Sequence, residues 1–325
     1  MREESKFLDQ FDSYFSRINQ ELDKVVNSEV SLIEEVGSYS LLGGGKRLRP
    51  LFFILSCQLC NYHDSDMYPL STIFECIHAA SLLHDDVLDN ASIRRGRSSA
   101  NKIWGNSAAV LVGDFLFCKS SRIAVDKRHI EFLKLLADTA IWMTEGQILE
   151  LDNTHNWKIT RREYTGIITS KTAGLISAAC ASGGIIAGAA QDKTQSLKNF
   201  GLNMGIAFQI VDDVLDYTST AEKSGKQIGN DLREGKVTLP LIYTLTYLEK
   251  RERDRLEHLF KNGNASEKDH LRILELVQNN GAINKCRRDA QGYVDLAETH
   301  LSLFPDSPIK ESLLKLNQFI VDRSY

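Results

Sequence analysis

The chain carries one acidic pentapeptide twice, Asp85-Asp86-Val87-Leu88-Asp89 and Asp212-Asp213-Val214-Leu215-Asp216, each at the end of an apolar run. At helical pitch the first and last aspartates of each copy stack on one face, with the second beside them. Like charges this close oppose one another, within a helix and between elements. Two such copies face each other stably only if cations lie between them. Short sets of hard carboxylate oxygens suit Mg²⁺, which keeps several waters and shares its other positions with phosphate oxygens. The repeat therefore predicts two acidic helix ends, a few Mg²⁺ ions and a diphosphate ester held in the gap. A solvated helix face explains one such motif readily, and two with apolar flanks poorly.

The rest of the composition narrows the fold. With 325 residues the chain is long enough for one large domain or two small ones. Only five prolines and little strand-like alternation point to an all-α fold. A net charge of −4 excludes a global nucleic-acid footprint. The six cysteines sit mostly among apolar residues, as reduced core thiols of a cytoplasmic protein do. Cys57 and Cys60, followed by His63, have metal-like spacing but lack a second ligand pair, which argues against zinc. The start, Met1-Arg2-Glu3-Glu4-Ser5, lacks the apolar core of a signal peptide, and no lipidation motif is evident. Gly174 to Ala190 is uncharged but dominated by Ala, Gly and Ser. It reads as a buried helix whose small side chains admit close neighbours, not as a membrane span.

Taken in order, residues 1–40 show helical apolar spacing at Phe7, Phe11, Phe15, Ile18, Leu22 and Val26, then at Val30, Ile33 and Val36. Next comes Gly43-Gly44-Gly45-Lys46-Arg47-Leu48-Arg49-Pro50. The glycines let backbone approach a ligand, Pro50 suits a first helical turn, and three cations arrive where backbone N–H groups already favour anions. The chemistry is that of a diphosphate cradle. It is not a P-loop, because Ser40 and Arg47 stand where Gly and Ser/Thr belong. Residues 69–89 read as one long helix that aligns His78, Ser81, Asp85 and Asp89 on a face. Arg94-Arg95-Gly96-Arg97 follows at once, and guanidinium groups pair bidentately with phosphate. Helices are expected over 101–125 and 129–152, and a small-residue helix over about 160–190 with Lys171-Thr172 near its start. Gln209, Asp212, Asp213 and Asp216 share a face. Ser224 to Asp231 is polar and glycine-punctuated, as a closing lid would be, with Lys226 inside it and Lys236 beyond. Amphipathic helices fill 237–325, and no composition shift divides the single domain expected over 1–325.

This order of motifs, Gly-Gly-Lys-Arg-Leu-Arg-Pro, Leu-Leu-His-Asp-Asp-Val-Leu-Asp, Arg-Arg-Gly, Lys-Thr, Gln-Ile-Val-Asp-Asp-Val-Leu-Asp and Gly-Lys, resembles the trans-isoprenyl diphosphate synthases. The match covers roughly residues 40–240 and looks most like the long-chain, octaprenyl-type members. The resemblance implies an all-α bundle with a deep central cavity, a homodimer, and about three Mg²⁺ ions per active site, consistent with diphosphate-bridging magnesium. It also implies roles. Lys46, Arg49, His78 and Arg95 would hold isopentenyl diphosphate. Asp85, Asp89 and Asp212 would bind Mg²⁺ bridging to the allylic diphosphate, supported by Asp86, Asp213 and Asp216. Arg94, Lys171, Lys226 and Lys236 would grip that allylic diphosphate, of farnesyl or geranylgeranyl type. Thr172 and Gln209 would aim oxygen dipoles at the developing cation. Every motif position holds the expected residue type, which argues against an inactive subunit of a heteromeric synthase. A terpene cyclase would not need the Lys46/Arg49/His78 site.

Product length depends on a path beside the 69–89 helix. Each isoprene unit adds about 5 Å, close to one helical turn. In the family, bulky aromatics one turn before the first aspartates stop growth early, whereas this chain has Ala80 and Ser81 there, with Ile77 and Phe74 beyond. Phe52, Phe53 and Phe132 are candidates for a floor. The expectation is a long product, with a geranylgeranyl or farnesyl synthase as the rival.

Overall fold

The long helix expected over 69–89 forms as Met67–Leu88 in the computed structural model, which describes residues 7–219 and 228–323. It begins ahead of Pro69, which then falls in the first turn, where a missing N–H costs nothing. Side chains from Leu70 to Ile77 are buried all round, so this helix is a core element and not an amphipathic surface one. It ends where Asn90 turns left-handed (φ 49°), a conformation Asn tolerates better than most residues.

In chain order the helices are α1 (Asp12–Val26), α2 (Ser31–Gly37), α3 (Leu48–Leu59), α4 (Met67–Leu88), α5 (Ala100–Trp104), α6 (Asn106–Asp126), α7 (Ile130–Asp152), α8 (Arg161–Ile168), α9 (Gly174–Ile186), α10 (Gln191–Thr218), α11 (Asn230–Arg233), α12 (Leu239–Leu245), α13 (Lys250–Lys261), α14 (Glu267–Asn279), α15 (Ala282–His300) and α16 (Pro308–Asp322). The all-α reading holds: among the described residues the one sheet is a hairpin, β1 (Ile93–Arg94) against β2 (Arg97–Ser98). Two boundaries differ from the sequence expectation. Gly105, at φ 85°, separates α5 from α6 where one helix is expected. The small-residue helix is divided into α8 and α9 by a π turn at Thr169–Ala173. Among the described residues no helix is long and apolar enough to cross a membrane.

Two units emerge from the packing, 1–138 with 175–201 and 301–313, and 139–174 with 202–300 and 314–325. In the first, α4 packs on α1, α3 and α6. Phe52, Phe53, Phe74 and Phe132 are fully buried, with the Phe53 and Phe74 rings 5.3 Å apart. Each such ring contributes roughly 1.5–3 kcal/mol by burial. In the second, α12 is buried along its whole length and packs on α8, α14 and α15. In the same unit the Trp157 and Phe260 rings lie 5.2 Å apart, tilted by 41°.

Candidate active site

The first acidic cluster closes α4. Asp85 and Asp89 are half-buried one turn apart, and the Asp89 N–H donates to the Asp85 carbonyl at 2.8 Å. Asp86 turns inward instead, its side chain 5% exposed. Arg94 donates to Asp86 Oδ1 through Nε at 2.8 Å and Nη2 at 2.5 Å. Asn101 of α5 and the Ala91 N–H both donate to the Asp86 carbonyl, which ties the helix end to the start of α5. Arg94, expected on the allylic diphosphate, is here the partner of the cluster's own aspartate.

The hairpin and the glycine loop clasp each other. Arg95 (φ 52°) and Gly96 (φ 72°) form the two-residue turn of left-handed residues that a tight hairpin requires. Arg95 donates to the Gly44 carbonyl. Arg97 donates to the carbonyls of Tyr39 at 3.3 Å and Gly43 at 3.2 Å, and lies over the Tyr39 ring. A Cβ on Gly43 would lie 2.1 Å from both Arg97 Nη2 and the Tyr39 oxygen, so only glycine fits there. Lys46 is exposed and Arg49 half-buried, whereas Arg47, expected beside them, turns into the core and bonds Glu75. His78 is held neutral, its pKa pushed well down by loss of solvent and then by Arg49, Arg95, Arg94 and Arg47. A neutral imidazole in this cationic pocket can still donate a hydrogen bond to phosphate. Ile77 and Ala80 are buried on α4, and half-buried Ser81 turns its hydroxyl back to the His78 carbonyl at 2.8 Å.

The second cluster lies in the last turns of α10 and repeats the division of labour. Asp212 and Asp216 are half-buried, whereas Asp213 is 3% exposed. Tyr164 donates to Asp213 Oδ2 at 2.5 Å, and Gln209 donates to Oδ1 at 2.7 Å. Burial pushes the Asp213 carboxyl up to about 7, against those two donors and with Asp212 and Asp216 adding repulsion. Thr172 donates to Gln209 Oε1 at 3.0 Å, which completes a chain from the π turn to α8. Asp216 accepts the backbone N–H groups of Asn230 and Asp231 at 3.2 and 3.1 Å, anchoring the start of α11. Half-buried Asp231 lies nearby, and its pKa is raised, by loss of solvent first and then by Asp216 and Asp213. Lys226 lies outside the described residues.

The π turn presents Lys171 and Thr172. Such one-residue expansions recur at functional sites because they alter which side chains share a face. Gly146 of α7 lets the turn approach closely, since a Cβ there would sit 2.5 Å from the Lys171 nitrogen. Lys171 donates to Glu150, and Lys236 to Glu234 at 2.7 Å. Arg323, after α16, donates to Asp212 at 2.7 Å and to the Phe208 carbonyl at 2.8 Å.

Glu75, Tyr164 and Arg323 did not stand out in the sequence. A charge inside the apolar run Phe74-Glu75-Cys76-Ile77 was a usable signal, because a buried carboxylate needs a partner. Arg323 had only its spacing from Phe319 and Ile320 to mark it. Among the described residues no group of three or more His, Cys, Asp or Glu is arranged to hold a metal ion.

The model of the polyprenyl synthetase family matches residues 30–277. The octaprenyl diphosphate synthase of Escherichia coli (strain K12) is 35% identical over 308 residues, 94% of each chain. A crystal structure of a polyprenyl synthase from Caulobacter crescentus CB15, complexed with calcium and isoprenyl diphosphate, superposes with a TM-score of 0.94 at 34% identity, covering 99% of this chain and 98% of that one. A decaprenyl diphosphate synthase from Rhodobacter capsulatus gives a TM-score of 0.91 at 34% identity, over 99% of both chains. Likeness of this extent, in sequence and fold alike, makes the chain a member of the polyprenyl synthetase family.

Proposed function

We propose that the protein is a divalent-metal-dependent trans-prenyltransferase. It adds isopentenyl diphosphate units to an allylic diphosphate and makes a long all-trans polyprenyl diphosphate, near octaprenyl length. The observation that carries this reading is the shared pattern of the two clusters. In each, the second aspartate is buried and spent on internal hydrogen bonds, and the outer two stay half-buried at the helix end. Asp85, Asp89 and Asp212 are the metal ligands in this reading. They would hold Mg²⁺, which would supply charge neutralisation for a leaving diphosphate. The Caulobacter relative, described with calcium and isoprenyl diphosphate, supports the ligand classes.

The chain's own residues supply the rest. Lys46, Arg49, His78 and Arg95 hold the diphosphate of isopentenyl diphosphate. Arg94, Lys171, Lys226 and Lys236 stabilise charge that grows on the allylic diphosphate as its C–O bond breaks, which lowers the barrier more than it tightens binding. The Thr172 hydroxyl donates to Gln209 Oε1, and in this reading its oxygen lone pairs stabilise the carbocation. The isopentenyl double bond attacks that cation, forming the new C–C bond, and the departed diphosphate takes the proton lost. Ala80 and Ser81 leave room for chain growth beside α4. Exposed Leu111, Phe117 and Val125 on α6 give a second copy an apolar face to cover, which supports a homodimer. All six cysteines are free thiols, which agrees with a cytoplasmic setting.

One incubation tests the assignment: labelled isopentenyl diphosphate with farnesyl diphosphate and Mg²⁺, products separated by length. Elongation well past C20, abolished by chelator, is expected. Cyclic or head-to-head products, or none, would overturn it.

A further inference from the structure

Glu75 belongs to no motif, yet it is 4% exposed in the middle of α4, one turn before His78. Its neighbours Ile73, Phe74, Cys76 and Ile77 are buried apolar residues, and a carboxylate cannot stay there without a partner. Arg47 is that partner: Nη1 donates to Glu75 Oε1 at 2.7 Å, with the two side chains 5% and 6% exposed. Arg47 Nε also donates to Asn19 of α1 at 3.0 Å. The pair therefore pins the loop that carries Lys46, and the start of α3 that carries Arg49, to two helices at once.

Two further observations show what the pin does. Arg47 sits at φ 49°, a left-handed conformation that a non-glycine residue keeps only when its surroundings hold it there. In addition, the pocket is crowded with positive charge. Arg49, Arg95, Arg94 and Arg47 all act against protonation of His78, and Arg47, Arg94 and Arg97 all act against the charge on Arg95. Glu75 is the carboxylate that acts the other way on Arg95.

We propose that Glu75 is a positioning residue for the isopentenyl diphosphate site: through Arg47 it fixes the left-handed turn of the glycine loop, and so the placement of Lys46 and Arg49. It withdraws one arginine from the ligand and orients the others. The proposal rests on the reading that these residues bind that diphosphate.

The test compares Glu75→Gln, the double variant Glu75→Gln with Arg47→Gln, Asn19→Ala and, as a control on the site itself, Arg49→Ala. Each is measured for KM toward both substrates, kcat, isopentenyl diphosphate binding by calorimetry, and melting temperature. Glu75→Gln keeps the shape but leaves Arg47 buried without a counter-charge. It should raise the KM and Kd for isopentenyl diphosphate about tenfold, as second-layer changes commonly do, with the allylic KM within about twofold. The double variant restores a neutral hydrogen-bonded pair and should recover most of that loss, which a purely local repacking defect would not. Asn19→Ala removes one of the two ties and should show a smaller rise in the same constant, even if Glu75→Gln folds poorly. Equal rises in both KM values, or a lower melting temperature with isopentenyl diphosphate affinity unchanged, overturns the positioning role. If Arg49→Ala also leaves that affinity unchanged, the site assignment falls; if Arg49→Ala weakens it and Glu75→Gln does not, only the proposal falls.

Discussion

Replacing Arg323 by Met tests how far the C-terminal segment sets the second acidic cluster. The Arg323 side chain is 6% exposed and makes four interactions. It donates to Asp212 at 2.7 Å, to the Phe208 carbonyl at 2.8 Å and to the Ile320 carbonyl at 3.1 Å, and its guanidinium lies 3.9 Å from the centre of the Phe208 ring. Asp212 is 40% exposed, so solvent screens the ion pair, and it contributes about 1 kcal/mol. The two carbonyl bonds add about 1 kcal/mol each and the ring contact about 1 kcal/mol. Returning the guanidinium to water recovers part of this, which leaves a net loss of about 3 kcal/mol. A chain of 325 residues unfolds with an entropy that converts this to a fall of about 4 °C in melting temperature. The second consequence concerns the metal. A ligating carboxylate that loses its orienting partner commonly loses 10–100-fold in metal affinity. The Mg²⁺ concentration for half-maximal turnover should therefore rise about tenfold, read by titrating Mg²⁺ at saturating substrates beside calorimetric melting. Unchanged melting and an unchanged Mg²⁺ requirement would refute the reasoning. Tighter Mg²⁺ would refute it as well, by showing that Arg323 competes with the metal and does not orient its ligand.

Asp85→Asn should cost several orders of magnitude in turnover with the circular dichroism spectrum and melting point near wild type; wild-type turnover would remove Asp85 from the metal set. Ser81→Phe or Ala80→Phe should shorten the product to about C15–C20 by blocking one helical turn of the path. Ala80 is 3% exposed, so its variant also carries an overpacking cost of about 1–3 kcal/mol, and the half-buried Ser81 makes the cleaner test. The pH dependence of metal-free stability has a definite sign. Asp213 titrates near 3.8 when unfolded and is raised to about 7 in the fold. Its contribution is full below pH about 4, declines as pH rises toward about 7, and is gone above that. His78, with a depressed pKa, acts oppositely and costs stability as pH falls below its ordinary 6.5. The difference between wild type and Asp213→Asn, measured by denaturant titration in chelator, isolates the aspartate and should change steadily across pH 4–7. A flat difference would show that Asp213 keeps an ordinary carboxylate pKa.

Most of the helices were legible because helical apolar spacing and the helix-end signals are local. The clusters at Asp85 and Asp212, the basic loop at Lys46 and the hairpin arginines all declared themselves within a few residues. The partners that complete them did not. Tyr164 meets Asp213, Arg47 meets Glu75 and Arg323 meets Asp212 across long stretches of chain, and no periodicity encodes such pairs. Local pattern also misassigned Arg47. Three neighbouring cations look equivalent in sequence, but a left-handed backbone turns one of them inward. The π turn was illegible for a related reason. Its extra residue leaves composition untouched and shifts only the register, which becomes visible when α8 and α9 are traced through it.

The internal pairing of the cations has a consequence for ionic strength. Arg94 rests on Asp86, Lys171 on Glu150 and Lys236 on Glu234. If these three side chains take the diphosphate as proposed, it exchanges one anionic partner for another at each of them. Added salt weakens both sides of that exchange. Substrate affinity should therefore vary far less steeply with salt than that of an open cationic groove, where each captured phosphate displaces condensed counterions.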